Sequence, residues 1–444
     1  MNICGNQVLS VLSEALDCVE KEVLGVTDYH AKRVAWLCIQ MGRKAGMSEE
    51  EIADLAVAAL FHDNALNEYK QDYEHGQLRY GADGRKHCIA GENNLKLILK
   101  KEAQLRSFVL YHHERADGRG PFGKGVAQVP LGAQFVHIAD EVDLQFALGR
   151  ADEDSLERIH DYIMDETDYN FSKEAAETLL AVVSDEALHI LDDCNIEHLA
   201  LEYAPITMEA TYGLAELFAR IIDYKSPFTK VHSIGVAEKV KHLAECLGYK
   251  TEHIEKMYLA GALHDIGKLL VDIEVLEKPG RLDEQEYKHI QSHAYETYRL
   301  LSKIDGFEEV RDWASYHHEK LNGKGYPFGL EASEMSEEAR ILACVDIYQA
   351  LTEDRPYKAG MSHKKAIGIL NELVEKGELD ETIVTLMDSE FSDGSSDAQT
   401  DAKTAVVALF QCGVCGYVYE GDAVPYEYIC PVCGQPGHGF IRIK

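Results

Sequence analysis

One stretch of the sequence, at residues 317–327, reads His317-His318-Glu319-Lys320-Leu321-Asn322-Gly323-Lys324-Gly325-Tyr326-Pro327. Two adjacent histidines precede a glycine-rich turn that ends in Gly-Tyr-Pro. Neutral imidazole is the commonest protein ligand for transition metals. Gly323 and Gly325 allow the turn to bend back over such a site, and Pro327 stiffens its end. Taken alone, the stretch also fits a solvated helix end followed by a turn, so the residues upstream must decide.

Those upstream residues occur in two copies with nearly equal spacing. Each copy contains, in order, a histidine, a His-Asp pair, a histidine, a double histidine and an aspartate. The first copy comprises His30, His62, Asp63, His87, His112, His113 and Asp140, and the second comprises His232, His264, Asp265, His293, His317, His318 and Asp346. The interval from the first histidine to the His-Asp pair is 32 residues in both copies. In the first and second copies respectively, the next histidine follows after 25 and 29 residues, the double histidine after a further 25 and 24, and the last aspartate 27 and 28 residues after the second member of that pair. This agreement indicates an internal duplication offset by about 200 residues, and we expect both copies to bind metal.

Composition limits the classes of function. The net charge of −33 argues against nucleic acid polymers and anionic membranes as partners. No apolar run approaches the ~20 residues needed to span a bilayer, and the N-terminus lacks the features of a signal peptide. Eleven cysteines fit a reducing compartment. We therefore expect a soluble, cytoplasmic protein.

The second copy resembles the HD-GYP family, part of the HD superfamily of metal-dependent phosphohydrolases. The resemblance rests on His-Asp-Ile-Gly-Lys at 264–268, on His-His-Glu with Gly-Tyr-Pro at 317–327, and on the run from Asp346 to Lys358. It implies an all-α fold with two tandem HD-type helical bundles, in agreement with the helical periodicity of the sequence. It also implies hydrolysis of a cyclic dinucleotide, cyclic di-GMP first among them. A homodimer is compatible with the resemblance.

The same resemblance implies how the second copy binds metal. One metal is held by His232, His264, Asp265 and Asp346, and Asp265 bridges to a second metal held by His293, His317 and His318. Five imidazoles and two carboxylates suit iron or manganese better than magnesium. Two bridged cations would activate a hydroxide and neutralise charge on the phosphate. Three-metal members carry a glutamate where this chain has Phe228, so we expect two metals.

Basic residues near these ligands are candidates for substrate contacts. Lys268 lies one helical turn after His264 and can reach the same cavity, so Asp265 and Lys268 are the candidate catalytic residues. By resemblance, Arg355 and Lys358 match positions that contact phosphates, and Tyr326 belongs to the substrate-binding turn. The alternative interpretation of the basic residues is solvated surface charge.

The first copy keeps its candidate ligands but lacks these surroundings. Leu66 stands where the second copy has Lys268, Gly120-Pro121-Phe122 replaces Gly-Tyr-Pro, and Gly149 falls at the position of Arg355. A dimetal site without phosphate clamps should bind a phosphodiester poorly. A structural domain, a regulatory site and a dimetal site of different chemistry remain open, and we favour the first two.

The last forty residues contain two Cys-x-x-Cys pairs, formed by Cys412, Cys415, Cys430 and Cys433. So small a segment needs a metal to fold. Spacing alone suggests structural zinc, whereas the Cys-Gly-Tyr and Cys-Pro-x-Cys-Gly contexts resemble rubredoxin, which implies one iron able to pass one electron. The predicted domains are a degenerate HD domain at 1–203, an HD-GYP domain at 204–391, a linker at 392–404 and a rubredoxin-like domain at 405–444.

Two functions from different classes follow. The first is a cyclic-dinucleotide phosphodiesterase whose rubredoxin-like tail senses or sets the redox state of an iron centre, with a rubredoxin-reductase-like protein as its redox partner. The second is a di-iron HD-type oxidoreductase or oxygenase that receives electrons from the tail. Gly-Tyr-Pro, Lys268, Arg355 and Lys358 favour the phosphodiesterase.

Overall fold

The computed structural model describes residues 5–66, 82–96, 103–196, 208–225, 232–276, 278, 280–353, 359–392, 409–412, 418–420 and 440–442. Two helical repeats follow one another along the chain, and a small antiparallel sheet comes last. The predicted class, two tandem helical bundles with a small C-terminal module, is confirmed.

The first repeat contains ten α-helices in the described part of the chain. Helices α1 to α10 cover Gly5–Leu24, His30–Ala45, Glu49–Leu60, Ala82–Leu95, Ala103–Leu110, Leu131–Phe146, Glu153–Glu166, Lys173–Leu180, Asp185–Leu191 and Asp193–Ile196. Residues 150–196 complete this bundle rather than linking it loosely to the next, because Ile159, Phe171 and Leu179 are buried in the same core as the earlier helices.

The second repeat begins with a long helix, as the first does. Helices α11 to α19 cover Met208–Lys225, His232–Cys246, Thr251–Leu263, Ile273–Leu276, Glu284–Leu301, Glu308–Ser315, Glu337–Thr352, His363–Glu375 and Glu381–Glu390. Short 3-10 helices lie at Val126–Gln128, Leu148–Arg150 and Ile266–Leu270.

Local sequence explains where several helices start. Ser48 accepts a hydrogen bond from the Glu51 backbone N–H, and the Glu51 carboxylate accepts one from the Ser48 N–H. Asp283 and Glu286 form the same reciprocal pair at the start of α15. These capping boxes satisfy backbone donors that have no partner within the helix.

The two leading helices, α1 and α11, lie between the repeats. Helix α1 contacts the 3-10 turn Ile266–Leu270 of the second repeat, and Phe218 of α11 packs edge-on against Phe61 of the first repeat at 6.1 Å between ring centroids. At the same boundary, Gln7 and Asp305 exchange two hydrogen bonds of 2.9 and 3.0 Å. One continuous apolar core therefore runs through both repeats.

The C-terminal sheet has three strands, β1 at Leu409–Cys412, β2 at Val418–Glu420 and β3 at Phe440–Arg442. Their order is β2-β1-β3, and both pairings are antiparallel. No helix in the described part of the chain is long and apolar enough to cross a membrane.

One close approach fixes the turn after His264 against helix α15. Thr297 donates its hydroxyl to the His264 carbonyl at 2.9 Å and accepts the Gly267 N–H at 3.0 Å. A Cβ at Gly267 would overlap the His293 carbonyl oxygen and crowd the Thr297 nitrogen. Only glycine therefore allows this turn to pack directly on the helix that carries His293.

We predict that Gly267→Ala lowers the free energy of unfolding by about 2 kcal/mol or more, because the added Cβ would push the turn after His264 away from the backbone of α15. The matched control is Gly368→Ala, in the exposed middle of α18, where an added Cβ meets nothing within 4 Å. That control should stabilise the protein by about 0.5–1 kcal/mol. Denaturant unfolding measures both changes, and equal effects would contradict the packing argument.

Candidate metal centres

The seven repeated residues of the second copy come from five separate elements. His232 begins α12, His264 and Asp265 follow α13, His293 lies within α15, the double histidine follows α16, and Asp346 lies within α17. Their ligand atoms form two groups, His232 with His264 and Asp346, and His293 with His317 and His318. Within each group the ligand atoms lie within 4.8 Å of one another, which suits a shared cation.

Asp265 lies between the two groups. Its Oδ2 is 3.2 Å from His264 Nε2, while its Oδ1 is 3.5 Å from His293 Nε2 and 3.7 Å from His317 Nε2. On the other side, Asp346 Oδ1 is 3.0 Å from His232 Nε2 and 3.7 Å from His264 Nε2. One carboxylate therefore presents one oxygen to each group, as a bridging ligand must.

Backbone carbonyls hold the imidazole rings in one orientation. The Nδ1 of His264, His293 and His317 each lies 2.6–2.8 Å from the carbonyl oxygen three residues earlier. An N–H at Nδ1 leaves the Nε2 lone pair pointing into the cluster. These carbonyls thus select the tautomer that can bind a metal.

The electrostatics of the cluster favour neutral imidazoles at His293, His317 and His318 beside ionised carboxylates. At His232, burial alone would lower the pKa, but hydrogen bonds to Asp346 and Glu353 raise it to about 10. Burial lowers the pKa of His293 to about 3 and that of His318 to about 4. Burial alone would raise the pKa of Asp265, but the neighbouring His264 and Lys268 hold it well below its ordinary value. Neutral imidazole and carboxylate are the ligand forms that cations require.

The first copy builds the same arrangement from its own residues. Asp63 Oδ1 is 2.9 Å from His87 Nε2 and 3.4 Å from His112 Nε2, and Asp63 Oδ2 is 3.7 Å from His62 Nε2. His30 Nε2 lies 3.2 Å from Asp140 Oδ1. The ligand atoms form two groups, Asp63 with His87, His112 and His113, and His30 with His62 and Asp140.

Both clusters fit metal ions, on the basis of their buried polar atoms. Among the described residues, His62 Nε2, Asp63 Oδ1, His264 Nε2 and Asp265 Oδ1 are buried without a hydrogen-bond partner. Burying such atoms unsatisfied is costly, and all four point into a cluster of imidazole and carboxylate ligands. A cation in each cluster would satisfy them together.

The two clusters differ in their exposure to solvent. The side chain of Asp346 is 10% exposed and His318 is half-buried, whereas Asp140 is 0% exposed and His113 is buried. The second cluster is therefore the one that a molecule from solution reaches more directly.

Comparison with known proteins agrees with this geometry. Residues 27–145 and 216–383 each match a model of the HD domain, and residues 410–441 match the rubredoxin-like domain of rubrerythrin. The 3'3'-cGAMP-specific phosphodiesterase 1 of Vibrio cholerae serotype O1 is 31% identical over 400 residues, which cover 86% of this chain and 90% of that protein. The chain belongs to the HD-GYP family. The predicted family and its arrangement of two HD copies before a rubredoxin-like module are confirmed.

Other similar proteins cover less of the chain or show the fold alone. The 3'3'-cGAMP-specific phosphodiesterase 3 of the same organism is 33% identical over 64% of this chain and 62% of its own length. A cyclic di-GMP phosphodiesterase of Pseudomonas aeruginosa is 38% identical over 32% of this chain and 34% of its own length. A crystal structure of the V. cholerae cyclic GMP-AMP phosphodiesterase V-cGAP3 shares the fold, with a TM-score of 0.59 and 23% identity over 87% of this chain and 97% of that one.

The HD-GYP turn depends on a glutamate that sequence reasoning did not single out. The Glu319 carboxylate accepts hydrogen bonds from the backbone N–H groups of Phe328, Gly329 and Leu330 at 2.6–3.0 Å. It thereby folds the turn back so that the Tyr326 ring lies 4.7 Å from the His318 ring. The signal was present, because His-His-Glu occurs in both copies. Glu114 holds the first copy's turn through the N–H groups of Phe122 and Lys124.

Two further carboxylates orient the first histidine of each copy. Glu353 Oε2 lies 3.0 Å from His232 Nδ1, and Asp143 Oδ2 lies 2.6 Å from His30 Nδ1. Each follows the last candidate metal ligand of its own copy, Asp346 or Asp140, by one or two helical turns, and that spacing could have identified both. Such outer carboxylates fix the ring and raise its basicity as a ligand.

Glu20 of α1 is another residue that the sequence did not bring forward. Its side chain is fully buried, and neither carboxylate oxygen has a hydrogen-bond partner in the part of the chain that the structure describes. Burial raises the pKa of Glu20 to about 8, although the nearby His30 and His62 act in the opposite direction. The leading helix thus adds an acidic group beside the first cluster.

Several predicted site residues lie outside the described residues, namely Phe228, Arg355, Lys358, Cys415, Cys430 and Cys433. Cys412 is described only as part of strand β1. Lys268 is described, and it pairs with Asp265 Oδ2. Leu66, at the corresponding position of the first copy, is buried.

We predict that Glu319→Ala lowers the free energy of unfolding by about 2–4 kcal/mol, because three backbone N–H groups lose a charged acceptor. The Ala314 carbonyl, and not this acceptor, holds His317, so metal content should stay at the wild-type level. The control is Glu334→Ala, an exposed residue of the same loop that accepts only from the Glu331 N–H, and it should change stability by less than about 0.5 kcal/mol. Equal losses in denaturant unfolding would show that Glu319 does not hold the turn.

Proposed function

We propose that the second repeat is a metal-dependent phosphodiesterase that hydrolyses a cyclic dinucleotide. The observation that carries the proposal is the position of Asp265, with one oxygen toward each histidine group and Lys268 paired beside it. His318 and Asp346 are the more exposed members of the cluster. A phosphodiester can therefore approach the site from solution.

The ligand roles follow the two groups of side chains. His232, His264, Asp265 and Asp346 would hold one cation, and Asp265, His293, His317 and His318 the other. This donor set suits iron or manganese, and we propose two ions in this repeat. When bound, such a pair supplies Lewis-acid activation of water and neutralises charge on the reacting phosphate.

Lys268 and Tyr326 give the site its contacts to substrate. Burial alone would lower the pKa of Lys268, but the Asp265 carboxylate raises it, so the ammonium stays charged. A charged ammonium beside the bridging carboxylate can donate to a phosphate oxygen. The Tyr326 ring packs on His318 and forms a wall against which a nucleotide can lie. Arg355 and Lys358 as phosphate contacts rest on the family resemblance.

The choice between cyclic dinucleotides rests on how much of the chain each relative covers. The relative that spans 86% of this chain, both HD copies included, is named as specific for 3'3'-cGAMP. The cyclic di-GMP phosphodiesterase from P. aeruginosa matches 32% of the chain. We propose 3'3'-cGAMP as the first substrate to test, with cyclic di-GMP, the expectation from sequence, beside it.

For the first repeat we propose a structural or regulatory metal site. Its bridging aspartate, Asp63, is 1% exposed, and a buried Leu66 stands where the second repeat has Lys268. On this proposal, residues 1–203 form the degenerate HD domain and residues 204–391 the catalytic one. A sealed cluster without a phosphate clamp can stiffen the bundle but gives a phosphodiester little to bind.

The rubredoxin-like match at 410–441 favours a redox contribution from the tail. We propose that Cys412, Cys415, Cys430 and Cys433 hold one iron, and that residues 392–404 link this module to the second repeat. Electrons passed on by this iron would keep the irons of the second repeat reduced, and a rubredoxin-reductase-like protein would supply them. The same match favours the alternative function, a di-iron oxidoreductase.

The first experiment compares Asp265→Ala with Asp63→Ala in the full-length protein purified anaerobically with iron or manganese. Asp265→Ala should reduce hydrolysis of either nucleotide by at least about 1000-fold, because the paired cations lose their bridge. Asp63→Ala should keep at least part of the activity. Metal analysis should show the second repeat losing metal in the first variant and retaining two ions in the second.

Asp63→Ala is the matched control, since it removes the equivalent bridge from a cluster of nearly the same geometry. If both variants are folded and equally inactive, the division between the repeats is wrong. If the wild-type protein consumes oxygen with an organic substrate and hydrolyses neither nucleotide, the oxidoreductase alternative replaces the phosphodiesterase.

The second experiment tests the tail by deleting residues 405–444 and, separately, by Cys430→Ser. Full-length and altered proteins are exposed briefly to air and then given a reductant with an electron-donating reductase. The full-length protein should regain hydrolysis faster, because a four-cysteine iron site exchanges one electron readily. Equal loss and recovery in all three proteins would show that the tail has no electron-transfer role here.

A further inference from the structure

Three side chains meet on the surface of the second repeat, away from both histidine clusters. His242 and Cys246 lie four residues apart on the last turns of α12, and Glu390 is the last residue of α19. Residues four apart on a helix face the same side. His242 is about 15 Å along the helix from the cluster ligand His232. The three residues therefore form a separate group, and nothing in the proposed phosphodiesterase reaction uses them.

The distances within this group match those of a tetrahedral metal site. Cys246 Sγ lies 3.3 Å from Glu390 Oε2, and His242 Nε2 lies 3.7 Å from both Cys246 Sγ and Glu390 Oε2. Zinc–ligand bonds of 2.0–2.3 Å in tetrahedral geometry place the ligand atoms about 3.3–3.6 Å apart. The three atoms thus occupy one face of a tetrahedron of the right size.

Neighbouring contacts hold the group in place. The Phe391 ring packs on His242 at 6.0 Å and on Tyr348 at 5.2 Å, which anchors the end of α19 beside α12. One turn earlier, Asp388 Oδ1 lies 3.1 Å from His363 Nε2. The side chains of His242 and Glu390 remain 47% and 36% exposed, so an ion can reach them from solution.

The cysteine is unusual among those that the structure describes as free. Cys38, Cys88 and Cys344 are buried and Cys18 is partly buried, whereas Cys246 is exposed. Its thiol donates a hydrogen bond to Glu390. A metal ion would take the place of that proton, which is released to solvent.

We propose that His242, Cys246 and Glu390 form a surface zinc site with its fourth position open to water. An imidazole, a thiolate and a carboxylate suit a borderline-soft divalent ion such as zinc, and a thiolate disfavours magnesium and calcium. A zinc ion here joins α12, which begins with the cluster ligand His232, to the end of α19, where the chain continues toward the rubredoxin-like module. The site is independent of the proposed function.

The test follows alkylation of Cys246 by iodoacetamide in the full-length, metal-loaded protein, with peptide mass spectrometry to identify the cysteine. Added Zn²⁺ should slow alkylation of Cys246 about 10-fold, because a metal-bound thiolate is a weaker nucleophile. Added Mg²⁺ should leave the rate unchanged. Cys18 serves as the internal control in the same digest, and its modification should not respond to zinc.

Two variants assign the protection to this site. His242→Ala and Glu390→Gln should each lose it, while Glu245→Gln, an exposed glutamate next to Cys246, should keep it. An alkylation rate that zinc does not change in the wild-type protein would overturn the proposal. Protection that survives both His242→Ala and Glu390→Gln would also overturn it, because zinc would then act from elsewhere.

Discussion

Everything near the second cluster depends on a carboxylate that must serve two groups of imidazoles at once. Asp265 directs Oδ2 toward His264 and Oδ1 toward His293 and His317. That geometry requires the turn after α13 to lie directly on α15, and Gly267 and Thr297 make this contact. A small displacement of either element would separate one oxygen from its group.

Because the ligand atoms are buried, any displacement of the two elements is costly. Several ligand atoms are buried with no hydrogen-bond partner among the described residues, and leaving them unsatisfied is costly. Backbone carbonyls lie on the Nδ1 side of His264, His293 and His317, and an outer carboxylate lies on the Nδ1 side of His232, so that the Nε2 atoms of these rings face inward. The cluster is therefore preorganised for cations rather than for a neutral ligand.

The duplication shows how one scaffold supports two different sites. Both repeats keep the candidate ligands, the His-His-Glu turn and the carbonyl contacts of the second histidine and of the first member of the double histidine, so their clusters are similar inside. The two repeats differ in the residues around the opening of the cluster. A buried leucine replaces the lysine, and in the first repeat Arg85 donates to the Pro121 carbonyl while its guanidinium lies over Phe122. Divergence has changed the access and the charge around the cluster, not its core.

The sequence by itself determined the family, the all-α class, the two copies and their order before the rubredoxin-like module. Metal ligands keep residue type and spacing, because each must leave a particular helix or turn in a particular direction. The fourteen candidate positions could therefore be predicted from the order of histidines and aspartates and from the intervals between them. Other features were decided only by the tertiary structure, because they depend on contacts between segments that are distant in sequence. Glu319 folds its turn, α1 and α11 pack between the repeats, and Glu390 meets His242 across 148 residues. Exposure also belongs to this class, because the two ligand sets are equivalent in sequence, and only the packing shows that the Asp140 side chain is 0% exposed and that of Asp346 10%.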